Sequence, residues 1–204
     1  MDTTIHNYIF DLGKVLVHFD PMYMTKAYVK NEADAELVSS VVFDRLYWDP
    51  LDDGTITDEA LKEDCHTRLP QRLHDIADMV YDNWLFHLPF IDGMRELVLD
   101  VKRSGAKVFL LSNVSIGFAE QYHQVPGFAE LFSHFDGLVF SGPLGIIKPS
   151  AEIFEYLLSR YGLKAEETIF IDDNVKNIAG AKAVGIHAYL FDGDAAKLRS
   201  SLGF

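Results

Sequence analysis

Asp11 lies in the run Asn7-Tyr8-Ile9-Phe10-Asp11-Leu12-Gly13, a single carboxylate at the end of an apolar stretch. Burying such a group is costly unless something pairs with it. Three more polar groups hold similar positions: Ser112-Asn113 after an apolar run, Asp172-Asp173 after another, and Lys148 in the loop 142–149. Singly, each residue suits a turn or a helix start. Together they suggest something else. Three carboxylates at one edge repel and raise one another's pKa values unless a cation sits among them. An all-oxygen set without imidazole or thiolate selects a hard ion, Mg²⁺ being the commonest. A lysine among them holds a phosphate or screens an anionic intermediate. The Lys148 loop is not a Gly-x-x-x-x-Gly-Lys-[Ser/Thr] phosphate loop.

These residues need a frame that brings strand ends together. Short apolar runs recur at 7–11, 106–113, 136–142, 167–174 and 187–191. Continuous apolar strands suit a parallel sheet covered on both faces. Helical spacing lies between them: Met94, Leu97, Val98 and Val101; then Ile153, Phe154, Leu157, Leu158 and Tyr161; then Ile178, Ala181 and Val184. Gly162 and Gly185 stop the last two helices, and Pro149 is expected to open the 151–161 helix in its first turn. The alternation predicts a Rossmann-like, doubly wound α/β domain, whose ligands sit outside the carboxyl ends of the strands.

Residues 20–87 break this rhythm. Helices are predicted over 22–29, 34–43, 57–69 (with Thr57 as N-cap) and 73–86. The expected division is a core of 1–19 and 88–204 and a helical cap of 20–87 inserted after the first strand.

The 204 residues carry 18 Lys and Arg against 31 Asp and Glu, a formal net charge of −13. That balance argues against nucleic acid and anionic membranes as partners. One cysteine, Cys65, excludes an internal disulfide, and the eight histidines show no zinc spacing. The start lacks a signal-peptide pattern and no apolar run approaches a membrane span, so a cytoplasmic monomer or homodimer with a small-molecule substrate is expected.

Four motifs, in order, resemble those of the haloacid dehalogenase superfamily: FDLGKVL at 10–16, LLSN at 110–113, KPSAEIF at 148–154 and FIDDNVKNIAGAKAVGI at 170–186. The resemblance covers 7–19 and 90–192, with the insert in the place of that family's first-type cap. It implies a phosphohydrolase in which Asp11 attacks phosphorus and forms an aspartyl-phosphate that water then hydrolyses. Mg²⁺ would be held by Asp11, the Gly13 carbonyl and Asp173, with Asp172 acting directly or through water. Ser112, Asn113 and Lys148, beside Leu12 and Gly13, would hold the phosphoryl group.

Position 13 departs from the family pattern, which reads Asp-x-Asp. Glycine cannot protonate a leaving group, and a missing general acid costs on the order of 10²–10⁴ in rate. Three readings follow. One is a phosphatase for substrates with good leaving groups, since the Asp-Leu-Gly opening and the segment 52–61 resemble a subgroup that includes bacterial α-D-glucose-1-phosphate phosphatases. Another is a metal-independent 2-haloacid dehalogenase, for which the paired acids 172 and 173 are unusual. The third is a catalytically weak phosphate-binding regulator. His18 or Asp20 is a candidate for part of the missing proton transfer, on nearness in sequence alone. Within 43–54, Arg45, Tyr47 and Trp48 are expected to select substrate, while Phe43 and Leu46 are expected to pack the cap helices.

Overall fold

A computed structural model describes residues 4–204 of the chain. Five strands form one parallel sheet: β1 (Asn7–Phe10), β2 (Lys107–Ser112), β3 (Gly137–Phe140), β4 (Thr168–Asp172) and β5 (His187–Leu190), in the order β3-β2-β1-β4-β5. The strands are apolar on both faces because both faces are covered. On one side Ile9, Phe109, Leu111, Val139 and Phe170 pack against α9 (Ala151–Tyr161) and α10 (Val175–Ala183). On the other, Tyr8, Phe10, Val108, Leu110 and Ile171 meet α6 (Met94–Arg103), α8 (Phe128–Phe132) and α11 (Ala195–Leu202). Strand alternation thus divides one apolar run between two cores.

β1 is central and pairs with β2 and β4 in matched register, Phe10 lying beside Leu110 and Ile171. The chain winds outward on one side through β2 and β3, then crosses to β4 and β5. The carboxyl end of β1 is therefore the point where the winding reverses, and ligands collect at such crevices.

Between β1 and β2 lie α1 (Pro21–Lys26), α2 (Glu32–Val42), α3 (Arg45–Asp52), α4 (Asp58–Arg68) and α5 (His74–Asn83). Thr57 caps α4 through the Ala60 N–H, as its sequence position predicts. The helix predicted over 73–86 is α5 flanked by two 3₁₀ turns, Gln71–Leu73 and Trp84–His87. α3, which contains Pro50, has no counterpart among the predicted helices, and neither has the six-residue α7 (Ile116–Gln121).

Two local expectations are corrected. α9 begins at Ala151 with Ser150 accepting from the Glu152 N–H, so Pro149 precedes the cap instead of opening the helix; the Lys148–Pro149 peptide is cis. Leu46 does not pack: it is 77% exposed, because α3 turns Trp48, Leu51 and Asp52 inward and leaves Leu46 on the opposite side. Among the described residues no helix is long and apolar enough to cross a membrane.

Candidate active site

β1, β2 and β4 end side by side, and so do the polar residues that follow them. Asp11 is buried at the end of β1, its N–H donating to the Ile171 carbonyl at 3.0 Å. Lys148 reaches it from the loop after β3. Only 3% exposed, Lys148 places Nζ 2.7 Å from Asp11 Oδ1, 2.8 Å from Asp172 Oδ2 and 3.0 Å from the Leu111 carbonyl. Burial works to lower the lysine pKa, but the charges of Asp11 and Asp172 outweigh it and keep the amine a cation. Burial also raises Asp11, with Lys148 opposing and Asp172 adding to the rise.

Asp172 is fully buried, and both its oxygens are engaged. Oδ1 accepts from the Asn174 N–H at 2.7 Å and Oδ2 from Lys148, while the Asn177 amide donates to both at 3.1 and 3.0 Å. Asp173 is half-buried, raised by burial and by the charge of Asp172. Asp11, Asp172 and Asp173 each offer one oxygen within 4.8 Å of the others, a separation one hard cation can span.

Asn113 is committed differently from the expectation. Its side chain exchanges two hydrogen bonds with the Lys148 main chain, donating to the carbonyl at 3.0 Å and accepting from the N–H at 2.8 Å. Its side-chain amide therefore fixes the lysine loop, while the residue also lines the site's cavity.

A cavity of about 720 Å³ opens over these groups. The sheet side contributes Asp11, Leu12, Gly13, Ser112, Asn113, Lys148 and Asp173, and the helical stretch between β1 and β2 contributes Phe43, Arg45, Trp48, Asp49, Asp52 and Trp84. Phe19, Phe43, Trp48 and Trp84 form one cluster, with ring centres 5.1–6.1 Å apart. The Trp48 indole N–H is spent on the Val42 carbonyl at 2.6 Å, so this residue shows the cavity only its ring. Arg45 is exposed and pairs with Asp49 at 2.5 Å. Tyr47 does not line the cavity; the Arg68 guanidinium covers its ring 5.0 Å from the centre.

Neither His18 nor Asp20 lines the cavity. Asp20 is the N-cap of α1, its Oδ1 accepting from the Met22 and Tyr23 N–H groups at 2.9 and 3.0 Å, which removes it as a proton carrier. Gly13 has no backbone need to be glycine. Its φ is not positive, and a Cβ there would meet nothing nearer than Phe19 Cβ at 4.0 Å.

Asp52 is the site residue that sequence reasoning missed. It lines the cavity, is 5% exposed, and among the described residues receives no hydrogen bond on its carboxylate. Burial pushes it up to about 7, with Arg45 and Lys148 opposing and Asp49 and Asp11 adding to the rise. No sequence pattern distinguishes it from its neighbour Asp53.

Comparison with known proteins bears directly on this site. A family model described as a haloacid dehalogenase-like hydrolase matches residues 5–185. A sesquiterpene phosphatase from Aspergillus oryzae is 27% identical over 190 residues, 91% of this chain and 89% of that one. A D-ribitol-5-phosphate phosphatase from Bacteroides thetaiotaomicron is 27% identical over 192 residues, 91% of each chain. A haloacid dehalogenase family enzyme from the same bacterium, solved with magnesium and inorganic phosphate, superposes with a TM-score of 0.70 at 23% identity, covering 95% of this chain and 98% of that one.

Proposed function

The chain belongs to the haloacid dehalogenase-like hydrolases, and from that premise we propose that it is a Mg²⁺-dependent phosphatase acting on a small phosphate monoester. The observation that carries this reading is Lys148, buried between Asp11 and Asp172 beside a three-carboxylate cluster. Phosphoryl transfer needs positioning and charge compensation more than covalent machinery, and this arrangement supplies both. The full-length relatives named above are phosphatases, and the enzyme solved with magnesium supports the choice of ion.

In this reading an Asp11 oxygen attacks phosphorus, the bond to the leaving oxygen breaks, and water then cleaves the aspartyl-phosphate. Lys148 and Ser112 hold phosphoryl oxygens, and Asn113 keeps Lys148 in place. Asp11, Asp173 and the Gly13 carbonyl are the residues that would hold Mg²⁺. Asp172, with both oxygens already accepting hydrogen bonds, would act through water. The ion would neutralise charge on the phosphoryl oxygens. Residues 20–87 form the cap over a core of 1–19 and 88–204, and select the substrate through Arg45 and the aromatic cluster.

The substrate reading extends to sugar phosphates of the glucose 1-phosphate type, because Gly13 suits a leaving group that departs easily. A second reading, a phosphate carried on an apolar body, is favoured by the Trp48 ring, which offers surface but no donor. A dehalogenase would leave Asp173 without a role. The test is phosphate release from sugar phosphates, isoprenyl phosphates and p-nitrophenyl phosphate, with Mg²⁺ and with EDTA. Release that persists in EDTA, or that survives Asp11→Asn, contradicts the proposal.

A further inference from the structure

We propose that Asp52, on α3 of the insert, is the general acid and base of this site, in the role that Gly13 cannot fill. The inference rests on the phosphatase reading above and supplies its missing proton carrier.

Two features of the fold hold Asp52 at the cavity. The Ser141 hydroxyl, in the turn after β3, donates to the Asp52 carbonyl at 2.6 Å and accepts from the Val114 N–H at 2.9 Å. One hydroxyl thus clamps the end of α3 to the segments that follow β2 and β3. Two residues on, Gly54 has φ +76°, and a Cβ there would lie 2.8 Å from the Gly142 carbonyl oxygen. The backbones approach so closely that only glycine fits, which brings the end of α3 down onto the sheet's carboxyl edge.

Asp52 reaches the cavity from the insert, not from the strand ends that carry Asp11. In phosphoryl transfer the leaving oxygen lies roughly in line with the attacking one, on the far side of phosphorus. A proton donor must reach that oxygen, and with Gly13 carrying no side chain, α3 brings a carboxyl group into the same cavity as Asp11. Among the described residues, and unlike Asp172, the Asp52 side chain accepts from no donor and faces the cavity, so its lone pairs and its proton are available to a ligand.

The surrounding charges suit the task. Arg45 and Asp49 share its helix, Lys148 and Asp11 act from the sheet edge, and Tyr81 of α5, whose hydroxyl donates to Asp58, is also near enough to feel its charge. Burial leads, and the carboxyl titrates near neutrality, where a group serves as acid in one step and base in the next. In the first step, as Asp11 bonds to phosphorus, the phosphorus–oxygen bond breaks and the Asp52 proton passes to the departing oxygen, giving the alcohol. In the second, the Asp52 carboxylate takes a proton from the attacking water; the phosphorus–Asp11 bond breaks, and inorganic phosphate leaves with both carboxyl groups restored.

Asp52→Asn, assayed with Mg²⁺ on phenyl phosphate and on p-nitrophenyl phosphate, tests this. p-Nitrophenolate departs without a proton, so the variant should release a burst of one nitrophenolate per site, followed by turnover slowed about 10²–10⁴-fold. Phenyl phosphate should be slowed from the first turnover, with no burst. Unchanged turnover overturns the proposal, as does an equal loss on both substrates without a burst, since a misfolded or distorted site slows both alike. An unmodified enzyme inactive on both substrates would sink the phosphatase reading itself, a distinct outcome.

Discussion

Asn113 and Lys148, 35 residues apart in the chain, are joined by a closed pair of hydrogen bonds, side chain to main chain in both directions. The pair welds the end of β2 to the loop after β3 and sets where the buried ammonium points. Asn113→Ala removes both bonds while leaving every charge in place. Turnover on p-nitrophenyl phosphate should fall about 10²-fold, the scale of a displacement near 1 Å at a reacting centre. Retained activity would show that the loop holds its position without Asn113.

Gly13→Asp should fold normally, since the position is neither strained nor crowded. Placed in the Asp52→Asn background, it should restore at least about tenfold of the lost turnover, because the new carboxylate supplies a proton close to Asp11. Thermal melts and steady-state assays of the four variants in this cycle read the outcome.

Asp52 should make the protein less stable as pH rises. Its folded pKa is about 7, against about 3.9 for an unfolded aspartate. Between these values the folded chain keeps a proton that the unfolded chain has released, so stability declines as pH climbs through the window. An asparagine side chain at this position has no proton to lose and no such dependence. Urea denaturation in EDTA should show Asp52→Asn gaining about 2–3 kcal/mol on the unmodified chain between pH 5 and 8. A difference independent of pH refutes this.

Asp173→Asn should weaken Mg²⁺ binding by about tenfold or more, seen as a higher Mg²⁺ concentration for half-maximal phosphate release. Substitution at Asp172 should do more than this. Its removal also leaves Lys148 one carboxylate short and frees the Asn177 amide, so losing a partner of a buried ion pair should lower stability by about 3–5 kcal/mol.

Gly54→Ala forces a positive φ on a residue with a Cβ and drives that atom against the Gly142 carbonyl. A loss of about 1–2 kcal/mol in stability is expected, with a larger proportional fall in turnover than in p-nitrophenyl phosphate affinity. Equal effects on both would argue that α3 does not place a reacting group.

The strands and the longer helices were legible because each rests on local rules. Apolar runs gave β1 to β5, and three- and four-residue spacing gave α6, α9 and α10. α3 escaped because Pro50 sits inside it and its outer face carries Leu46 instead of a polar residue. α7 and α8, of six and five residues, are too short to show a period. At the site, Asp11, Asp172 and Asp173 were readable as strand-end residues, and Lys148 from the glycine- and proline-framed loop that carries it. The commitment of Asn113 to Lys148 and the exposure of Asp52 to the cavity depend on contacts 35 and 89 residues apart, which no local pattern encodes.

The Ser141 hydroxyl has a consequence for what can react here. Lifting α3 strands the Asp52 carbonyl until water finds it, while the Ser141 hydroxyl can turn to the Val114 carbonyl 3.2 Å away. A ligand that fits beneath the closed helix leaves this joint intact. On the proposal that Asp52 is the proton carrier, a bulkier ligand that lifted α3 would carry Asp52 away from the phosphoryl group. Such a molecule would be bound and yet not turned over, a selection by leverage instead of by room.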